Sequence, residues 1–122
     1  MSFQQDIFNT IKALTGNKNL IAIPREFIRF TGSLDCAVLL SQLIFWNDRG
    51  SLSDRWIAKT YKHWYRETSL SEYQIRKARL TLEKRGLIET KIKKWAGNPT
   101  VHYRLNVELF VETFTAFLRD RE

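Results

Sequence analysis

Between Ser71 and Arg104 the chain reads SEYQIRKARLTLEKRGLIETKIKKWAGNPTVHYR, with nine Lys or Arg against three Asp or Glu. Cations at this density, interleaved with Tyr, Trp, Gln, Asn and His, suit a polyanion that also offers base edges to read. On a 3.6-residue wheel Ile75, Ala78 and Leu82 share one face. Tyr73, Lys77, Leu80 and Lys84 centre on the opposite face, flanked by Arg76 and Thr81. Arg79 lies near the apolar face and fits this division poorly. Ser71 and Gln74 stand at capping-box spacing, so Ser71 opens a helix, and Gly86 suits the left-handed residue that ends it.

The segment after Gly86 changes character. Leu87–Trp95 and Thr100–Leu105 carry the β-branched and aromatic residues of two strands, and Ala96-Gly97-Asn98-Pro99 supplies a loop in which Pro99 breaks no ladder. A helix that packs on one side and presents polar groups on the other can enter a major groove about 12 Å wide, and a basic hairpin can lie beside it. Double-stranded DNA is therefore the expected partner.

The candidate contacts on the helix are Ser71, Tyr73, Gln74, Arg76, Lys77, Leu80, Thr81 and Lys84. Arg76 and Lys77 suit guanine, Leu80 suits a thymine methyl, and Gln74 suits adenine although its capping role competes. On the hairpin they are Lys91, Lys93, Lys94, Trp95, Asn98, Thr100, His102 and Arg104, which suit phosphate contact or minor-groove entry. Trp95 serves equally well as packing within the hairpin. Lys59, Thr60 and Lys62 are candidates for clamping the phosphate backbone. An ordinary basic surface is the bland rival to each assignment.

Around this segment, Phe3, Ile7, Ile11 and Leu14 recur at helical spacing with Phe8 beside them, up to Gly16-Asn17. Leu20–Ile23 is a short apolar run, and Pro24 suits the start of a helix over 24–30. Ser33 is an N-cap for a strongly apolar helix over Leu34–Asn47, expected to be the central buried one. Residues 47–53 form a turn cluster, Trp56-Ile57 a short strand, and Thr60 caps a helix to Glu67 whose inner side is Tyr61, Trp64 and Tyr65. Val107–Arg119 is a final helix. Its stripe of Phe110, Phe114 and Phe117 either packs on the chain's own core or forms a homodimer interface.

The bulk figures agree with this picture. At 122 residues and 43% hydrophobic, the chain suits a single domain, with a core over about 33–106 and helical extensions over 1–32 and 107–122. The net charge is +7, and it is concentrated: residues 55–104 hold 13 Lys or Arg against 4 Asp or Glu. No apolar run approaches the roughly 18–20 residues of a membrane span. The N-terminus has no signal-peptide pattern, and the single cysteine suits a reducing, cytoplasmic compartment. No enzyme is expected. Cys36 sits in the most apolar helix, His63 and His102 have no metal-ligand spacing with it, and no phosphate-binding glycine loop occurs. Neither a cofactor nor a metal is expected.

The motifs AVLLSQLIFWNDRG, WIAKTYKHWYRETSLSEYQIRKARLTLEKRGLIETK and GNPTVHYRLN make residues 36–106 resemble the winged helix-turn-helix modules of phage, prophage and plasmid replication proteins, of the replisome-organiser or initiator type. The resemblance implies an α+β, mostly α fold, with a β-hairpin wing and additional terminal helices. It implies origin recognition in DNA replication, with Tyr73, Gln74, Arg76, Lys77 and Leu80 on the recognition helix and Lys93, Lys94, Asn98 and His102 on the wing. A second region in that family often recruits a replicative helicase or loader. No segment after residue 122 corresponds to it, which leaves an excised DNA-binding domain or a stand-alone protein as the expectations. The alternatives are a small winged-helix transcriptional regulator and a winged helix used for protein contact.

Overall fold

A computed structural model describes residues 4–7, 9–10, 21–47 and 53–120 of the chain. Residues Phe3, Phe8, Ile11, Leu14, Gly16, Asn17 and Leu20, and most of the turn cluster after Asn47, lie outside the described residues. Residues 4–7 and 9–10 are helical, as the spacing predicts. The further order is α1 (Arg25–Thr31), α2 (Leu34–Trp46), a 3-10 turn (Ser53–Arg55), β1 (Ile57–Ala58), α3 (Tyr61–Thr68), α4 (Glu72–Lys84), β2 (Ile88–Trp95), β3 (Asn98–Leu105) and α5 (Val107–Asp120). The architecture is α+β and mostly helical, with one antiparallel three-stranded sheet in the order β1-β3-β2.

Every described helix from α2 onward starts where a side chain accepts from an unsatisfied first-turn N–H group. The Ser33 hydroxyl accepts from the Cys36 N–H at 3.1 Å. The Thr60 hydroxyl accepts from the His63 N–H at 3.0 Å, and His63 Nδ1 accepts in return from the Thr60 N–H at 3.4 Å. Pro24 is the N-cap of α1 and makes no side-chain cap, so the helix begins at Arg25, one residue later than expected. Gly32, at φ +88°, ends α1 and lets α2 leave at 116° to it. No single helix is long and apolar enough to cross a membrane among the described residues.

The core forms where the apolar faces of these helices meet the base of the sheet. Leu39, Leu40 and Leu43 of α2, Trp64 of α3, Ile75 and Leu82 of α4, Leu87 and Tyr103 are fully buried. Trp64 and Tyr103 meet edge to face, ring centroids 5.6 Å apart. Burial pushes the Tyr103 phenol up to about 12, against a weaker opposing effect of the Trp64 indole. Helix α2 is central as expected, although Leu34 and Phe45 at its ends are exposed. Tyr65 of α3 is exposed as well, not on the inner side, because only Trp64 of that short helix reaches the core while Tyr61 stops half-buried.

The aromatic stripe of α5 finds its partners within the chain. Phe114 meets Phe27 at 5.2 Å and Phe30 at 5.1 Å, both edge-on, and stacks on Phe110 at 5.3 Å. Phe117 adds a tilted contact to Phe30 at 5.5 Å. This is the first of the two readings of Phe110, Phe114 and Phe117: α1 takes up the stripe that was a candidate dimer interface. Asn106 fixes the entry to α5. Its Oδ1 accepts from the Leu109 N–H at 3.2 Å, and its Nδ2 donates to the Gly86 carbonyl at 3.3 Å.

Candidate nucleic-acid interface

The basic helix is built as its sequence requires. The Ser71 hydroxyl accepts from the Gln74 N–H at 3.1 Å, and Gln74 Oε1 accepts from the Ser71 N–H at 2.9 Å. Ile75, Ala78 and Leu82 are buried against the core. Opposite them Tyr73, Lys77, Leu80 and Lys84 form an exposed ridge, with Tyr73 70% and Leu80 53% accessible. Lys77 and Lys84 have no ion-pair partner among the described residues.

The flanks of this ridge are more committed than the wheel suggests. Glu72 pairs with Arg76 at 2.8 Å, and the Arg76 guanidinium lies 5.5 Å from the centre of the Tyr61 ring. Tyr61 first, and Glu72 after it, hold the Arg76 pKa above its ordinary value, so this group is a permanent cation in a set place. The Ser71 hydroxyl and the Gln74 side-chain oxygen are occupied by the cap, which leaves Gln74 only its amide N–H groups to offer. The Thr81 hydroxyl donates back to the Lys77 carbonyl at 3.1 Å. Arg79 now has a place: 17% exposed, it pairs with Glu83 at 3.4 Å, and Glu83 also accepts from the Thr90 hydroxyl. The three residues tie the flank of α4 to the root of the hairpin.

The hairpin turn is tighter than expected. Trp95 pairs with Asn98, so only Ala96 and Gly97 form the loop. Their φ angles of +53° and +85° are those of a type I′ turn, whose twist matches the strands. Pro99 therefore lies in β3, opposite Lys94, and not in the loop. The ladder tolerates it because the closing pair Trp95–Asn98 is the hydrogen-bonded one, which makes Lys94–Pro99 a non-bonded pair. Pro99 then points its missing N–H to the side where β1, pairing only at His102 and Tyr103, does not reach.

Register divides the wing residues between two faces. Thr90, Ile92 and Lys94 share a face with their partners Tyr103, Val101 and Pro99, the face that meets the helices. Lys91, Lys93 and Trp95 share the other with His102, Thr100 and Asn98. On that outer face Trp56 forms a platform, with Lys91 Nζ 4.1 Å and the Arg104 guanidinium 4.5 Å from its ring centre. Arg104 is also paired with Glu89, both oxygens at 3.1 Å. Trp95 is half-buried and meets His63 of α3 edge-on at 6.0 Å, a packing contact that reaches outside the hairpin, whereas the expected packing was within it.

Two wing residues are corrected. Thr100 and His102 are 5% and 4% exposed, so neither side chain stands on a contact surface. The Thr100 hydroxyl donates to the Asn98 carbonyl at 3.0 Å, and His102 Nδ1 lies 2.9 Å from the Thr100 carbonyl. The expected backbone clamp is corrected in the same way. Lys59 pairs with Glu67 and sits 4.0 Å over the Trp46 ring, with its side chain 12% exposed, and the Thr60 hydroxyl is engaged in the cap. Lys62 alone of that trio is exposed. Arg66, four residues on, is exposed too, and its spacing from Lys62 was the signal that could have identified it.

The electrostatic outcome is simple. Residues 55–104 contain four acidic side chains, Glu67, Glu72, Glu83 and Glu89. Each is paired with one cation, namely Lys59, Arg76, Arg79 and Arg104. Arg85 donates to the Phe30 carbonyl at 2.8 Å and Lys91 rests on Trp56. The cations left without such a partner among the described residues include Lys62 and Arg66 on α3, Lys77 and Lys84 on α4, and Lys93 and Lys94 on β2. No group of three His, Cys, Asp or Glu among the described residues is placed to hold a metal ion. No family model matches this chain, and neither a curated protein nor a solved structure does.

Proposed function

We propose that the chain is a winged helix that binds double-stranded DNA. Helices α3 and α4 are its helix-turn-helix, and β2–β3 is its wing. The observation that carries this reading is the distribution of charge: every acidic group of residues 55–104 is neutralised by one neighbour, while unpartnered cations remain on the α4 ridge, on α3 and on the hairpin. Tyr73, Lys77, Leu80 and Lys84 enter the major groove, with Arg76 at its edge. Lys93 and Lys94 meet the flanking backbone. The setting we infer is cytoplasmic origin recognition in the replication of a phage, prophage or plasmid, where a homodimer and a helicase or loader are the accessory partners to seek. That setting rests on the resemblance of residues 36–106.

The test is selection from a random duplex pool, followed by sequencing of what is retained. Enrichment of a short motif, with binding that weakens steeply as salt rises, is the expected result. Failure to retain any duplex at about 50 mM salt would remove the DNA reading and favour an acidic protein as the partner of the same face.

A further inference from the structure

Ile92 stands out as an exception to hydrophobic burial. It is 73% exposed, more than any other large apolar side chain described, and its neighbours Lys91, Lys93 and Lys94 are all exposed cations. Its position is defined. Thr90, one step nearer the core on the same sheet face, donates its hydroxyl to Glu83 on the flank of α4. Ile92 therefore projects from the hairpin about 7 Å further out, on the helix side of the wing. Lys94 and Pro99 come next on that face, and Pro99 is also exposed. The two-residue turn leaves the strands no slack between these positions and the tip.

We propose that Ile92 is an apolar wedge that enters the minor groove beside the major-groove site of α4 and opens a base step, with Pro99 supporting it. This inference rests on the DNA reading above and adds a mode of binding to it. The surrounding cations select a polyanionic partner, and within duplex DNA the unstacked face of a base step is the apolar surface a branched side chain can cover. Lys94, on the same face, neutralises a phosphate beside the opened step. Pyrimidine–purine steps are easiest to unstack, so the wedge would favour sites holding a TA or CA step under the wing.

The experiment measures affinity and end-to-end distance together, on a duplex of about 30 base pairs with a central TA step and a fluorophore at each end. The wild-type chain is expected to shorten the distance. Ile92→Ala and Ile92→Thr are expected to abolish the shortening and to weaken binding about tenfold with an unchanged salt dependence, since no phosphate contact is removed. The threonine variant keeps a β-branched strand residue and so separates the wedge from hairpin stability. Lys94→Ala is expected to lower the salt dependence while the bend persists at saturation. Wild-type binding without bending would overturn the proposal, as would unchanged bend and affinity in Ile92→Thr; in either case DNA binding itself would stand. No binding by the wild-type chain would remove both.

Discussion

Glu72 reaches one turn along α4 to Arg76 and holds that guanidinium, at 2.8 Å, beside the Tyr61 ring. The pair is exposed on both sides, so it contributes little to folding. On the proposed DNA reading its effect falls on binding, because a phosphate or a guanine would have to displace Glu72 to engage Arg76 fully. Glu72→Gln is expected to raise duplex affinity about threefold to tenfold and to narrow the gap between selected and scrambled sites. Fluorescence anisotropy with both duplexes checks this. Equal affinities before and after the substitution would mean that Arg76 stays on Glu72 and takes no part.

Tyr103 gives the fold a defined alkaline limit. Its phenol is pushed up to about 12 from 10.0, chiefly by burial, so the folded state holds the proton more tightly than the unfolded one. The stability this contributes is complete below pH 10 and is lost as pH rises from there through 12. The difference corresponds to roughly 2–3 kcal/mol. Tyr103→Phe should remove that alkaline loss. It should cost less than about 1 kcal/mol at pH 7, because the Tyr103 hydroxyl has no hydrogen-bond partner of good geometry among the described residues. Denaturant titrations from about pH 7 to 11 compare the two chains.

Ala96 occupies a left-handed position, φ +53°, that costs a residue with a Cβ about 1 kcal/mol or more. Asn and Gly are the residues a type I′ turn prefers there. Ala96→Asn should therefore raise stability by about 0.5–1 kcal/mol without touching any other contact. Calorimetry reads this as a higher Tm, and a lower one would contradict the turn geometry.

Phe114 is the hub between α5 and α1, within 5.3 Å of three other rings. Phe114→Ala should cost about 2–4 kcal/mol, as truncation of a well-packed aromatic does. Light scattering should give the same mass for the variant and the parent, since Phe114 packs on rings of its own chain. A fall from dimer to monomer would mean that the stripe also serves a second copy.

Much of α4 is legible in the sequence. Ser71 and Gln74 announce their own capping box, and the 3.6-residue spacing of Ile75, Ala78 and Leu82 separates core from ridge. Local rules of that kind depend only on neighbours within a turn. The hairpin is less legible because its faces depend on partners distant in sequence. Thr100 and His102 fall on the same face as the exposed Lys91, Lys93 and Asn98, so alternation alone does not reveal that they are buried. Ile92 has the composition of a core strand residue, yet the strand runs past the rim of the helices before reaching it. Lys59 has the sequence context of a surface cation, and only the fold brings Glu67 and Trp46 around it. Arg79 is anomalous on the wheel because its partners, Glu83 and through it Thr90, join two elements.

The central claim is that unpartnered cations, and not the basic composition as such, bind duplex DNA. It is tested most directly by the slope of log affinity against log salt for single alanine variants. Lys77→Ala, Lys84→Ala and Lys94→Ala should each reduce the slope by about one phosphate's worth, whereas Lys59→Ala, whose ammonium is held by Glu67, should leave it unchanged in a chain that remains folded. Equal slopes in all four variants, or duplex binding that does not respond to salt, would contradict the account.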